Sequence, residues 1–216
     1  MYQIGLDEAG VGPVMGPMIV SGVLVEKTNL ANLQCIGVKD SKKFSSLEQR
    51  EKILKLSLPY LEKSATFEIF PEDLDNGNWI DLEIKVIAQI LKELVWQDAE
   101  IIYIPQIGQL KFVNLISKLA IYNPEYQTQF FIDKVIYEVD ADSKFLPVSL
   151  ASMIAKTTRD QKMKELCKNL GEPYISGYPN KKTAIFLENY FLKHNALPRG
   201  IRKKRKWAPL QNLIME

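Results

Sequence analysis

Asp7 and Glu8 stand side by side at the end of the first apolar stretch, Tyr2-Gln3-Ile4-Gly5-Leu6, and Gly10-Val11-Gly12-Pro13 and Gly16-Pro17 follow them. Adjacent carboxylates offer hard oxygen ligands, and magnesium is commonly held by one or two carboxylates together with substrate phosphates. Glycines beside them let the main chain approach a ligand where a Cβ would clash. The pattern suits a divalent cation held against a sugar-phosphate backbone; read alone, the same string is also a solvated turn at a strand end. The rest of the chain narrows the chemistry. There is one histidine, His194, and the two cysteines, Cys35 and Cys167, are far apart and fit no zinc or redox spacing. Carboxylates and a metal are the catalytic material on offer.

These residues need a scaffold, and the sequence predicts one in which strands and helices alternate. Strands are expected around Asp7, over Gly16–Val25, Ala65–Phe70 and Ile101–Ile104, and over Phe130–Val139. Ser45-x-x-Glu48 reads as a capping box opening a helix that runs to about Leu61. Apolar residues at Ile80, Ile84, Ile87, Leu91, Leu94 and Val95 follow helical spacing. Further helices are expected over Lys111–Leu119, Val148–Leu170 and Lys182–Lys193. Strands alternating with helices favour a three-layer α/β domain.

The chain has 216 residues, enough for one sizeable core or one domain with a small appendage. With 46% hydrophobic and 25% charged residues it has the composition of a soluble globular protein. No run of about 18 apolar residues suggests a membrane span. The N-terminus lacks the layout of a signal peptide, so a reduced, cytoplasmic setting is expected. Net charge is only +2, but six cations crowd the nine residues from Arg199 to Trp207. Such a block is either a solvated tail or a contact for a phosphate backbone, and the acid pair elsewhere favours the contact.

Two further segments join the first: Val38-Lys39-Asp40-Ser41-Lys42-Lys43-Phe44-Ser45, and Ala141-Asp142-Ser143-Lys144 followed by Ser149-Leu150-Ala151-Ser152-Met153-Ile154-Ala155-Lys156. Together, in this order and across most of the chain, they resemble the ribonuclease HII family, which hydrolyses the RNA strand of RNA–DNA hybrids. The resemblance implies a ribonuclease H-like fold, a mixed central sheet flanked by helices, with a catalytic domain over residues 1–170 and a small helical, basic substrate-binding subdomain over 171–216. It implies hydrolysis dependent on Mg2+ or Mn2+, acting on RNA–DNA hybrids or on duplex DNA with embedded ribonucleotides. A monomer with no membrane attachment is the expectation. Asp7 and Glu8 match the family's first two catalytic acids, and Asp142 the last; all three would ligate metal. Gly10, Val11 and Gly12 fall on the loop whose backbone reads the ribonucleotide 2′-hydroxyl. Lys42 lies where the family places a phosphate-binding lysine. Tyr178, in Gly177-Tyr178-Pro179, matches a tyrosine that stacks at the RNA–DNA junction, although a tyrosine in such a turn also serves simple packing. Ser152 and Lys156, one helical turn apart, fit a surface cap and salt bridge as readily as substrate contact.

The chain departs from the family pattern at two positions in this site. A third catalytic acid is expected where Ile101-Ile102-Tyr103-Ile104 ends, and Pro105 stands there. Gln106, or Asp140 if it shares a strand face with Asp142, would be a replacement ligand. Val11 occupies the place of an arginine and cannot make a bidentate phosphate contact. The expected function is therefore a metal-dependent endoribonuclease with activity reduced by Pro105; the alternative is a catalytically silent hybrid-binding protein on the same fold.

Overall fold

Gln3, Gly5 and Asp7 alternate with Ile4, Leu6 and Glu8 in the first strand, so its two faces carry different chemistry from the outset. The computed structural model describes residues 1–38 and 46–215. Strand β1 (Tyr2–Ala9) pairs antiparallel with β2 (Met18–Glu26), which pairs antiparallel with β3 (Lys63–Ile69). On its other edge β1 runs parallel to β4 (Ala99–Pro105), and β4 parallel to β5 (Val135–Glu138). The result is a mixed sheet in the order β3-β2-β1-β4-β5. The helices are α1 (Leu30–Ile36), α2 (Leu47–Ser57), α3 (Pro71–Asn76), α4 (Trp79–Glu93), α5 (Phe112–Ala120), α6 (Gln129–Ile132), α7 (Ala141–Lys144), α8 (Leu146–Asn169), α9 (Lys181–His194) and α10 (Ala208–Met215). This is the expected ribonuclease H-like α/β architecture, helices flanking a mixed sheet.

Each face of the sheet is covered by one principal helix. Ile4 and Leu6 of β1, with Ile102 and Ile104 of β4, pack against Ile84, Ile87, Ile90 and Leu91 of α4. A fully buried Ile or Leu in such a layer contributes about 1.5–3 kcal/mol. On the opposite face, Val23 and Val25 of β2 meet Leu150, Ala151 and Met153 of α8, and Tyr103 meets Val148. Helix α8 comes unusually close because Gly5 has no side chain. A Cβ there would lie 2.2 Å from the Pro147 carbonyl carbon and 2.4 Å from Val148 N. That proximity brings the first turns of α8 over the strand end that carries Asp7.

Three local expectations need correction. The strand expected over Phe130–Val139 is helical at first: α6 is capped by Thr128, whose hydroxyl accepts from Phe131 N, and the strand covers only Val135–Glu138. Phe131 turns into an aromatic cluster with Trp96 and Tyr126, at ring separations of 4.9 and 4.8 Å, and that packing outweighs β propensity. The cap of α2 is Ser46, which accepts from Gln49 N; Ser45, where the capping box was expected to begin, lies outside the described residues. Helix α2 also stops at Ser57 and passes into a 3-10 turn over Leu58–Tyr60, because Pro59 cannot continue the ladder.

The C-terminal segment packs on the glycine-rich loop between β1 and β2. Val14 and Met15 share a hydrophobic cluster with Met163 and Cys167 of α8, Phe186 and Leu187 of α9, Ile201 and Leu210. Backbone bonds run from Gly16 N to Gly200 O at 2.8 Å and from Arg202 N to Val14 O at 2.8 Å.

Candidate active site

Because Asp7 and Glu8 are consecutive on β1, they leave the sheet on opposite faces. Asp7 continues the side of Gly5, towards α8; Glu8 continues the side of Ile4 and Leu6, towards α4. Both open at the strand end into a cleft of about 360 Å3, whose lining also includes Gly10, Val11, Gly12, Pro105, Gln106, Asp142, Lys156 and Tyr178. Seven of the eight residues expected at the site thus surround one cavity. The eighth, Lys42, lies outside the described residues.

Asp142 reaches the cleft from the short helix α7. Its backbone carbonyl accepts from Ser149 Oγ of α8 at 2.6 Å, which ties the acid to the same helix that backs Asp7. Asp140 also lines the cleft, but not as a strand neighbour of Asp142: β5 ends at Glu138, and Asp140 takes a left-handed conformation (φ 54°) at the start of α7. Pro105 ends β4. Gly5 pairs with Tyr103, so two residues further Pro105 falls level with Asp7 and on its face. Gln106 turns its amide nitrogen to Gly108 O at 3.1 Å.

The acids are held under electrostatic pressure. Burial, then the charge of Glu8, raises the Asp7 carboxyl well above the usual carboxylate range, against a hydrogen bond from Ser152 and the nearby Lys156 ammonium. Burial likewise raises Glu8. Ser152 is fully buried, whereas Lys156 is partly exposed on the cleft wall and forms a salt bridge, with Nζ 3.9 Å from Asp142 Oδ2; both back the acids from α8. A further acid, Glu83 of α4, is 2% exposed and is raised by burial and by the charges of Glu8 and Asp7. Sequence reasoning missed it. The only signal was one acidic residue on an otherwise apolar helix stripe.

Two arginines brace the glycine loop from below. Arg159 of α8 donates to Ser176 O at 2.9 Å and stacks 4.9 Å from the Tyr178 ring, on the wall of the cleft. At Gly10 (φ 98°) a Cβ would lie 2.6 Å from Arg159 Nε and 2.7 Å from Pro17 O. Arg202 donates to Gly16 O at 2.9 Å and to Val11 O at 3.3 Å. Within the basic block, Arg202 is therefore a buried strut of the loop, while Lys203 and Lys204 remain exposed. Burial and the neighbouring Arg159 bring the Arg202 guanidinium down to about 9.

The donor set suits a hard cation. It is all oxygen, and Asp7, Glu8, Asp140 and Asp142 line the cleft with the single ammonium of Lys156 among the described residues. Among the described residues no group of three or more His, Cys, Asp or Glu side chains is close enough to hold an ion by itself. The acids line an open cleft, as a site that shares its ions with a substrate phosphate requires.

The sequence matches the family described as ribonuclease HII over residues 4–208. The chain belongs to the ribonuclease HII family. It is 33% identical to a ribonuclease HII of Thermococcus sibiricus over 216 residues, covering 97% of this chain and 89% of that protein. The ribonuclease H2 crystal structure from Pyrococcus horikoshii OT3 superposes with a TM-score of 0.81 at 29% identity, covering 99% of this chain and 97% of that one. Bst-RNase HIII, solved in complex with Mn2+, shares the fold at a TM-score of 0.77 and 19% identity, covering all of this chain and 70% of its own. Membership of the ribonuclease HII family, and the shared fold, support a ribonuclease H activity. No described helix is long and apolar enough to cross a membrane.

Proposed function

We propose that this protein is a metal-dependent endoribonuclease that cuts the RNA strand of RNA–DNA hybrids, or duplex DNA at embedded ribonucleotides. The observation that carries the reading is the meeting of Asp7, Glu8 and Asp142, from distant parts of the chain, around one cleft walled by the glycine loop and Tyr178. Asp7, Glu8 and Asp142 would hold Mg2+ or Mn2+. When bound, the ions would activate the attacking water and stabilise the leaving 3′-oxygen.

The remaining roles belong to the chain. Main-chain groups of Gly10, Val11 and Gly12, with no bulky side chain at the glycines, approach the 2′-hydroxyl that separates RNA from DNA. Tyr178, steadied by Arg159, offers its ring to the nucleotide beside the cut. Lys156 and Ser152 keep Asp7 and Asp142 in place and moderate their mutual repulsion. Lys42 would contact a phosphate of the hybrid, as would the exposed lysines of the C-terminal block. The protein would work as a monomer in the cytoplasm.

Pro105 favours a second reading, a hybrid-binding protein that does not cleave, because no ligand projects from the end of β4. Incubating the purified protein with a labelled RNA–DNA hybrid and Mn2+ separates the two. Cleavage that disappears in Asp7→Asn supports the nuclease. Binding without cleavage in any divalent ion supports the alternative, and equal cleavage by Asp7→Asn refutes the site assignment.

A further inference from the structure

A second, smaller pocket adjoins the cleft, and Val11 lines both. Its charged lining is Arg202, Lys204 and Arg205 of the C-terminal block, and Asp75 at the end of α3. Its volume, about 210 Å3, is below the roughly 300–1,000 Å3 of pockets that enclose a whole small molecule and suits a single charged group.

Cations adjacent in sequence repel one another, so the block does not gather them by itself. The fold does. Arg205 N donates to Arg202 O at 3.1 Å and closes a turn. Asp75 holds that turn from one side, its Oδ2 accepting from Lys203 N at 2.7 Å and its Oδ1 from Lys204 N at 3.0 Å. Gln211 of α10 holds it from the other, donating to Lys203 O at 3.0 Å and Arg205 O at 2.9 Å. The one acid of the pocket is thus committed at both oxygens. Among the described residues no ion pair engages Lys204 or Arg205.

Arg202 lacks an acceptor as well. It is 4% exposed, with Nε bonded to Gly16 O and Nη1 to Val11 O, while Nη2 is buried with no partner among the described residues. A buried charged donor left unpaired is costly, and an oxyanion seated against the guanidinium supplies the missing acceptor. Val11 has no charge to offer at the seam of the two cavities. A strand whose sugar lies against the glycine loop therefore meets its nearest positive charge in this turn.

We infer that Arg202, Lys204 and Arg205 form a subsite for one backbone phosphate of the hybrid, with Asp75 as the positioning residue that holds the basic turn beside Val11. The inference rests on the hybrid as substrate, and the test keeps the two apart.

Binding of a fluorescently labelled RNA–DNA hybrid to the full chain is followed by anisotropy in metal-free buffer over a salt series. The proteins are the parent, Lys204→Gln, Arg205→Gln, the double variant, Asp75→Ala and Asp75→Asn, each with its melting temperature. The double variant should bind about tenfold more weakly and lower the slope of log Kd against log salt by about one, as the loss of a single phosphate contact requires. Asp75→Ala gives a test of sign. Removing an acid beside a polyanion ordinarily strengthens binding. Loss of the pinned turn should instead weaken it several-fold, and Asp75→Asn, which keeps one acceptor, should recover part of the loss. Lys204 is exposed and Arg205 half-buried, so their variants decide the point even if Asp75→Ala folds poorly. Parent-like affinity and slope in the double variant, or tighter binding by a folded Asp75→Ala, would overturn the subsite and leave the hybrid as substrate. A parent that binds no hybrid would overturn both.

Discussion

Lys156 Nζ lies 3.9 Å from an Asp142 carboxylate oxygen and also lowers the proton affinity of Asp7 and Glu8, so one ammonium on α8 serves three acids. Glu83 receives no such help. Replacing Lys156 by Met should raise the proton affinity of Asp7 and Glu8 further. The acid limb of the kcat/KM profile then moves to higher pH, and cleavage suffers more at pH 6 than at pH 8.5. A profile shifted the other way, or unchanged, contradicts this arrangement.

The raised acids also set the pH dependence of stability. Asp7, Glu8 and Glu83 all bind protons more tightly in the folded protein than their ordinary values of 3.8, 4.5 and 4.5. The folded state therefore holds more protons, and stability contributed below pH 3.8–4.5 is lost as pH rises through the raised values. Without metal, the melting temperature should fall from pH 5 to pH 8 by more than in the triple variant Asp7→Asn, Glu8→Gln, Glu83→Gln. Added Mn2+ should recover more stability at pH 8 than at pH 5.

Gly10→Ala should damage the loop. Its φ of 98° is unfavourable for any Cβ, and the new methyl would meet Arg159 Nε and Pro17 O. The combined cost is about 2 kcal/mol, a drop of roughly 4–8 °C in melting temperature. Calorimetry checks it.

Tyr178 is 42% exposed, so its removal should spare the fold and affect substrate binding. Stacking on a nucleotide is worth about 1–3 kcal/mol. Tyr178→Ala should raise KM for the hybrid by about tenfold at constant salt, and Tyr178→Phe should restore most of it. An effect confined to melting temperature would mark the ring as packing.

Pro105→Asp would place an acid on the face of Asp7. It should lower the Mn2+ concentration for half-maximal cleavage by about tenfold. A metal titration of initial rates measures this directly.

The parts of this site that share a stretch of chain were legible in the sequence. Asp7-Glu8 followed by glycines, the Asp142 segment and the helix carrying Ser152 and Lys156 are each written in local residue types, and apolar spacing located α4 to within a few residues. Local pattern failed at α6, where Phe131 answers to Trp96 and Tyr126 rather than to its neighbours in sequence. It brought Asp140 to the cleft by the wrong route, because a strand that stops at Glu138 no longer alternates and Asp140 instead opens α7. Only the tertiary structure could decide that Arg202 supports Val11 and Gly16, or that Glu83 of α4 is buried. The Arg202 contacts join residues 186 and 191 positions apart, and such burial depends on which element covers which face of the sheet. Residue types and short-range spacing encode elements; the choice of which buried charges become neighbours is made when the two faces of the sheet close.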